Sequence, residues 1–288
     1  MVQDEMRTKN FVKRIRQLPT LPTVAKSLKE LMKKPTSSSL DIGRVIEKDQ
    51  SLSVRVLRIV NSAYYSPVKE ITSIKQAVTM LGFKELNTIV LAASVFESIL
   101  GEGTYGFNRA AFWEHSLGCA VFSQAIAKSL NYPKSEDAFT AGLMHDIGKV
   151  VLDRFFQTEM SKIQELLKNR PMLFIEAERE AMGIDHTLIG VWLLEHWEIP
   201  SIIQVAVKHH HQVFSEREGL SDSKDLIADI VHMADIMCYN LNIGDGGNRA
   251  PAALNAEHHR RISLPDETLQ EIIEGCKNQI EKSKSSLF

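Results

Sequence analysis

Cysteine is scarce in this chain. Its three residues, Cys119, Cys238 and Cys276, are odd in number and widely spaced. That spacing excludes a disulfide framework and reads as reduced thiols in a cytoplasmic protein. Long apolar runs are missing too. The nearest candidate, Thr88–Ser94, falls far short of the ~20 residues a membrane-spanning helix needs. The opening MVQDEMRTKN carries no apolar segment like that of a signal peptide. Neither sign of charge dominates: 34 basic residues face 36 acidic ones, a net charge of −2, so no electrostatic case for nucleic acid exists. A small basic cluster, Lys9, Lys13, Arg14 and Arg16, reads as a solvated helix face. Aromatic residues make up only 7%, and alternating β-branched patterns are rare, which leaves little room for sheet.

Helical periodicity is present almost everywhere, and the fold class expected is all-α. Val24, Leu28, Leu31 and Met32 share one face of a helix begun near Pro22 and stopped by Pro35. Ile42, Val45 and Ile46 repeat the spacing after Ser39, and Ile74, Ala77, Val78 and Leu81 do so again, with Gly82 placed as a C-terminal cap. Leu86 to Leu100 makes another apolar-faced helix. The glycines of GEGTYGFN (101–108) mark a boundary. Two regions are therefore expected: an amino-terminal helical bundle, 1–104, and a second helical domain, 105–288, that includes a carboxy-terminal helix at 265–282. Between them the pattern predicts helices near 109–130, 136–154, 158–169, 172–182, 186–197, 200–213 and 223–241. The stretch 242–263 reads as a surface loop. Its glycines resemble no phosphate-binding loop, since no strand precedes them and no Gly-Lys-Ser follows.

Most of the ten histidines fall in the second half. His115 sits in FWEHSLG, His145 and Asp146 in GLMHDIGKVV, His186 in DHTLIG, His209, His210 and His211 in AVKHHHQ, and Asp235 in VHMADIM. Singly, each has an ordinary explanation. A helix histidine can simply pack, Asp185 can cap a helix, the triple histidine can end one, and Asp235 can pair with a basic residue. Together they place a His or Asp inside the apolar pattern of five helices, where an unpaired polar group is costly. Imidazole and carboxylate are the donor set for divalent transition metals. A carboxylate beside a histidine can bridge two ions, the arrangement of a two-metal hydrolytic site. Lys149 follows His145 by four residues and Asp146 by three. It is either a snorkelling surface lysine or a group that meets charge building on a phosphoryl oxygen. Gly148 would let a substrate approach the helix backbone closely.

With these motifs the chain resembles the HD superfamily of metal-dependent phosphohydrolases, and more narrowly the HDOD (HD-related output domain) proteins. LPTLPTV (18–24), IEKDQSLSVRVLRIVNSAYY (46–65) and ITSIKQAVTMLGFKEL (71–86) carry the HDOD likeness. The second half resembles the HD-GYP branch in ligand order. The resemblance implies His115, His145, Asp146, His186, His210, His211 and Asp235 as metal ligands, with His209 in a position the family gives to an aromatic residue. It implies two divalent ions, iron or manganese with zinc or nickel as alternatives. His115, His145, Asp146 and Asp235 would hold one, and Asp146, His186, His210 and His211 the other. Asp146 and Lys149 would be the catalytic pair. Two departures matter. VFSEREGLSDS stands where the GYP element would follow the tandem histidines, which argues against a cyclic dinucleotide. Ala111 replaces a glutamate of three-metal members, which favours two metals. The resemblance thus implies hydrolysis of a phosphodiester or phosphomonoester, with a phosphate-ester small molecule or nucleotide as partner. Its alternative is a non-enzymatic output module that binds a signalling protein, the metals then being structural. Neither a membrane nor a nucleic acid is expected as partner, and no sensor, receiver or DNA-binding segment is recognised, so regulation is expected from a separate chain.

Overall fold

The computed structural model describes residues 23–32, 34, 37–61, 65, 67, 69–99, 108–217, 219–220, 222–250 and 260–287. The basic cluster Lys9–Arg16, the first five residues of LPTLPTV, most of NSAYY and the glycines of 101–107 lie outside them. Among the described residues every regular element is a helix, and no helix is long and apolar enough to cross a membrane. Cys119, Cys238 and Cys276 are buried thiols, none of them in a disulfide. The chain divides into two compact units.

One unit takes in residues 21–98 and 265–288. It contains α1 (Thr23–Met32), α2 (Ser39–Ile46), α3 (Gln50–Val60), α4 (Ile74–Ile99) and the last helix, Asp266–Leu287. Local chemistry explains its boundaries. Ser38 accepts from the Asp41 amide while Asp41 reaches back to the Ser38 backbone, a reciprocal cap that starts α2. Asp49 caps α3 by accepting from the Leu52 amide at 3.0 Å. Gly82, at φ 79°, breaks α4 into two helical stretches, as its placement after Leu81 predicts. Asn61 clasps Ile71, donating to its carbonyl and accepting from its amide, each at 2.7 Å. That clasp closes the loop between α3 and α4. Leu28, Ile42, Ile46, Val56, Ile59, Ala77 and Val78 are buried, so the apolar faces read from sequence do form core. The last helix packs against α3; it groups with residues 21–98, not with the segment just before it.

Beyond Ile99, the described residues of the other unit lie between 108 and 264. It holds α5 (Arg109–Ser129), α6 (Ser135–Met144), α7 (Ile147–Phe155), α8 (Gln157–Asn169), α9 (Phe174–Met182), α10 (His186–His196), α11 (Ser201–His209), a short 3-10 turn (Phe214–Glu216) and α12 (Asp222–Asn240). Phe112, Phe122, Phe139, Phe156, Phe174 and Trp197 are fully or almost fully buried among these helices. α5 packs on α6 and α12, α10 on α7 and α11, and α11 on α12.

Two expectations need correcting. The span 136–154 is two helices, not one: the chain leaves helical geometry at Asp146 (φ −99°, ψ 13°), so the His145–Asp146 pair lies at a break. Apolar periodicity continues across the junction because both sides are buried, and it therefore hides the break. The stretch 242–263, read as a surface loop, is anchored at its start. Asp245 N donates to the Ala111 carbonyl at 2.9 Å and Arg249 N to the Met172 carbonyl at 3.2 Å. Asn248 Oδ1 accepts from Phe174 N at 2.9 Å.

Candidate metal centre

Every one of the seven expected ligands lands in one cluster, six of them buried and His211 half-buried. α5 carries His115, the α6–α7 break carries His145 and Asp146, the first residue of α10 is His186, the end of α11 delivers His210 and His211, and α12 carries Asp235. Local sequence chemistry puts them there. Asp185 caps α10, accepting from the amides of Thr187 and Leu188 at 3.1 and 3.4 Å, so its N-cap reading holds and His186 starts the helix. His210 and His211 follow the last helical residue of α11. His209, by contrast, turns to the Gln212 side chain.

The donor atoms form two groups, Asp146 with His186, His210 and His211, and His115 with His145 and Asp235, each mutually within 4.8 Å. Asp146 joins them. Its Oδ2 lies 3.2 Å from His145 Nε2 and 3.8 Å from His115 Nε2. Its Oδ1 lies 3.2 Å from His186 Nε2 and 3.8 Å from His210 Nε2. Asp235 Oδ1 approaches His115 Nε2 at 3.1 Å.

The far side of three rings is tethered. His145 Nδ1–H donates to the Gly142 carbonyl at 2.7 Å, His210 Nδ1–H to the Val207 carbonyl at 2.9 Å, and His186 Nδ1–H to Glu178 Oε2 at 2.5 Å. With the proton held at Nδ1, the Nε2 lone pair points inward. Nε2 of His115, His145, His186, His210 and His211, and Oδ1 of Asp146, are buried with no hydrogen-bond partner. Buried polar atoms are rarely left so. Convergent orphan donors of imidazole and carboxylate type fit two divalent transition-metal ions.

The charges in the cluster perturb one another strongly. Burial opposes charge on each group, yet for Asp146 the His145 ring and the Lys149 ammonium outweigh it and hold the carboxyl well below the usual carboxylate range. Burial is likewise overridden at Asp235, which His115 and His145 hold low. Against burial, Asp146 raises His145 well above the ordinary imidazole value, and Glu178 pushes His186 up to about 9. Burial, then the neighbouring rings, hold His210 and His211 well below it.

Lys149 is not a surface lysine: it is 2% exposed. Its Nζ donates to Asp146 Oδ2 at 2.6 Å and to the Gly246 carbonyl at 2.9 Å, and it lies 5.1 Å from the Phe174 ring centroid. Gly148 serves packing instead of substrate approach. A Cβ there would overlap the His186 carbonyl, so its missing side chain lets α7 meet the start of α10.

Three contributors escaped the sequence reading. Glu178 in FIEAEREAM had no signal separating it from its acidic neighbours. The 243–249 loop looked solvated because glycine and asparagine are loop residues wherever they lie. The third is a buried ionic network. Arg217 donates to Asp225 Oδ1 and Asp229 Oδ1 at 3.0 and 2.8 Å, and Arg261 reaches the other oxygens of both at 3.2 and 2.9 Å. Arg217 Nε also donates to the Gln212 carbonyl at 2.9 Å. The network fastens the segment after His211 to the helix that carries Asp235. Asp225 and Asp229, four apart in an apolar helix, were the available signal.

A family model, the HDOD domain, matches residues 18–213, a span that holds every cluster residue except Asp235. Two solved structures are similar over nearly their whole length. An HDOD domain protein of unknown function from Geobacter sulfurreducens has a TM-score of 0.74 at 23% identity, covering 95% of this chain and 97% of that one. A candidate phosphohydrolase from Shewanella amazonensis SB2B has a TM-score of 0.76 at 24% identity, covering 96% and 97%. At these identities the likeness is one of fold. A curated relative, an uncharacterised protein of Treponema pallidum (strain Nichols), is 24% identical over 204 residues. The match takes in 69% of this chain but 39% of that protein, so the chain spans well under half of its relative.

Proposed function

The chain belongs to the HDOD domain family, and from that premise we propose that it is a metal-dependent phosphohydrolase acting on a phosphodiester or phosphomonoester. One observation carries the reading: the two carboxylate oxygens of Asp146 face two different donor groups, 3.2 Å from His145 Nε2 on one side and 3.2 Å from His186 Nε2 on the other. A structural ion pair needs no such symmetry, whereas a carboxylate shared by two ions does. The ligand order, like that of the HD-GYP branch, supports it as well.

His115, His145, Asp146 and Asp235 would hold one ion and Asp146, His186, His210 and His211 the other, iron or manganese being suited to this donor set. When bound, such a pair supplies Lewis-acid polarisation of a phosphoryl oxygen and activation of water for in-line attack. The protein supplies the rest. The Nδ1 tethers keep the rings from turning, and burial strengthens every charge interaction inside. An ammonium has three N–H donors, and Lys149 commits two, to Asp146 and Gly246. The third would meet negative charge developing on phosphorus-bound oxygen, the role we assign to Lys149 beside Asp146.

Protein purified anaerobically with iron or manganese is expected to hydrolyse bis(p-nitrophenyl) phosphate or p-nitrophenyl phosphate. Fully loaded protein that leaves both intact across iron, manganese, zinc and nickel would overturn the proposal. A second reading would then stand, a signalling output module with metals as struts. What favours it is the tie of Lys149 to Asp146 and Gly246, which already gives the lysine a structural task.

A further inference from the structure

Of the two polar residues in VHMADIM, Asp235 belongs to the cluster, whereas His232 is a member of neither donor group. His232 stands three residues before Asp235 on α12, so the two occupy neighbouring positions on that helix. Asp235 groups with His115 and His145. His232 reaches the opposite group: its Nδ1 lies 2.7 Å from the backbone carbonyl oxygen of His210. A carbonyl can only accept, so Nδ1 carries the proton and donates it.

The contact matters because of where the tandem histidines stand. α11 ends at His209, and past a helix end the carbonyls must find partners elsewhere. His232 takes the carbonyl of His210. Arg217 takes the carbonyl of Gln212, through Nε at 2.9 Å and through Nη2 as well, and is itself fixed on Asp225 and Asp229 of α12. The backbone is thus gripped on both sides of His211 by groups on α12 or anchored to it. His211 needs that grip most. The His210 ring is tethered at Nδ1 to the Val207 carbonyl at 2.9 Å, but no hydrogen bond from another described residue holds the His211 ring. Its neighbours are the rings of His186 and His210, with centroids 5.1 and 4.1 Å away. Such contacts lack the direction a hydrogen bond imposes, so the backbone decides where His211 Nε2 points.

We propose that His232 is a positioning residue for the ion of the tandem histidines. By holding the His210 carbonyl it sets the backbone from which His210 and His211 present their Nε2 atoms. The assignment rests on the two-ion reading above. It makes α12 common to both sites, ligating one ion through Asp235 and clamping the ligands of the other through His232.

Manganese affinity, measured on the full chain by competition with a chelator, tests this without turnover. His115→Ala should retain the ion of the tandem histidines, and His210→Ala the other. Added to the first, His232→Leu should weaken manganese binding roughly tenfold, the low end for an outer-sphere partner of ligating histidines. Added to the second, it should change affinity by less than about twofold, as for independent sites. His232→Asn should restore binding, because its amide nitrogen takes the place of Nδ1 and still donates to the carbonyl. His232→Gln, whose amide extends to the place of Nε2, should not, and it replaces the leucine variant if that fails to fold. Unchanged affinity, equal losses at the two ions, or an asparagine variant no better than the glutamine one would overturn the proposal while the metal reading stands. His115→Ala protein that binds no manganese with His232 in place would overturn the two-ion reading and this proposal together.

Discussion

The Lys149 ammonium donates to the Gly246 carbonyl across 2.9 Å, joining α7 to a loop 97 residues further along the chain. The same nitrogen holds Asp146 Oδ2 at 2.6 Å. One buried charge thus ties Asp146 to the 243–249 loop. Lys149→Met keeps an apolar stem of similar length and deletes the charge. Turnover of an activated ester is expected to fall roughly ten- to a thousandfold, as when one transition-state donor is removed. Elemental analysis should still find both metals, because an ammonium cannot be a ligand. Loss of metal along with rate would make Lys149 a support for Asp146 alone.

Metal content should reach two equivalents per chain. His210→Ala, which touches only one donor group, is expected to leave about one equivalent, and His115→Ala should do the same for the other. Less than half an equivalent in the unaltered protein, after anaerobic purification with added iron or manganese, would refute the dinuclear centre.

Asp146→Ala should lower the melting temperature in metal far more than in chelator. An ion that binds only the folded state stabilises it by mass action, and on the proposed reading this carboxylate would serve both ions. Some loss in chelator is expected too, since Lys149 would be left buried without its closest partner. Equal losses in the two conditions would reduce Asp146 to an ordinary ion-pair residue.

Glu178, fully buried, accepts from both the backbone amide and Nδ1 of His186, at 3.1 and 2.5 Å. Glu178→Gln keeps an acceptor and removes the charge. It is expected to weaken the ion held by His186, His210 and His211 by roughly ten- to a hundredfold, in line with other outer-sphere carboxylates. Competition with a chelator of known affinity measures this, and the ion at His115 and His145 should hold unchanged.

Arg217 balances Asp225 and Asp229 in the interior. Arg217→Met should destabilise the fold by roughly 3–5 kcal/mol, the usual cost of breaking a buried charge network from one side. Denaturant unfolding of the metal-free protein checks it, and a loss under about 1 kcal/mol would show that Arg261 alone suffices.

Most of the fold was legible locally. Caps and apolar faces are short-range features, and the helices at 109–129, 157–169, 186–196 and 222–240 lie within a few residues of where periodicity places them. The exceptions have a common cause. The break at Asp146 is buried on both sides, so hydrophobicity runs through it unmarked. The 243–249 loop is polar and glycine-rich, as a solvated loop would be, yet it is held against α5 and the Met172 carbonyl by backbone bonds and against the start of α9 by the Asn248 side chain, pairings that leave no trace in composition.

The sequence by itself determined the all-α class and singled out histidines and aspartates set within apolar patterns, because burying an imidazole or carboxylate without a partner is costly wherever it happens; the set of seven expected ligands came from the family resemblance. It also pointed to Asp146 as the residue able to serve two ions, since a carboxylate has two oxygens. Only the tertiary structure decided what stands around them: Glu178 behind His186, Arg217 on Asp225 at the start of the helix that carries Asp235, and the Gly246 carbonyl on Lys149. These partners lie 8 to 97 residues from the groups they hold, and no local pattern records such pairings. They exist because close packing of separate helices leaves each buried charge one place to find its complement.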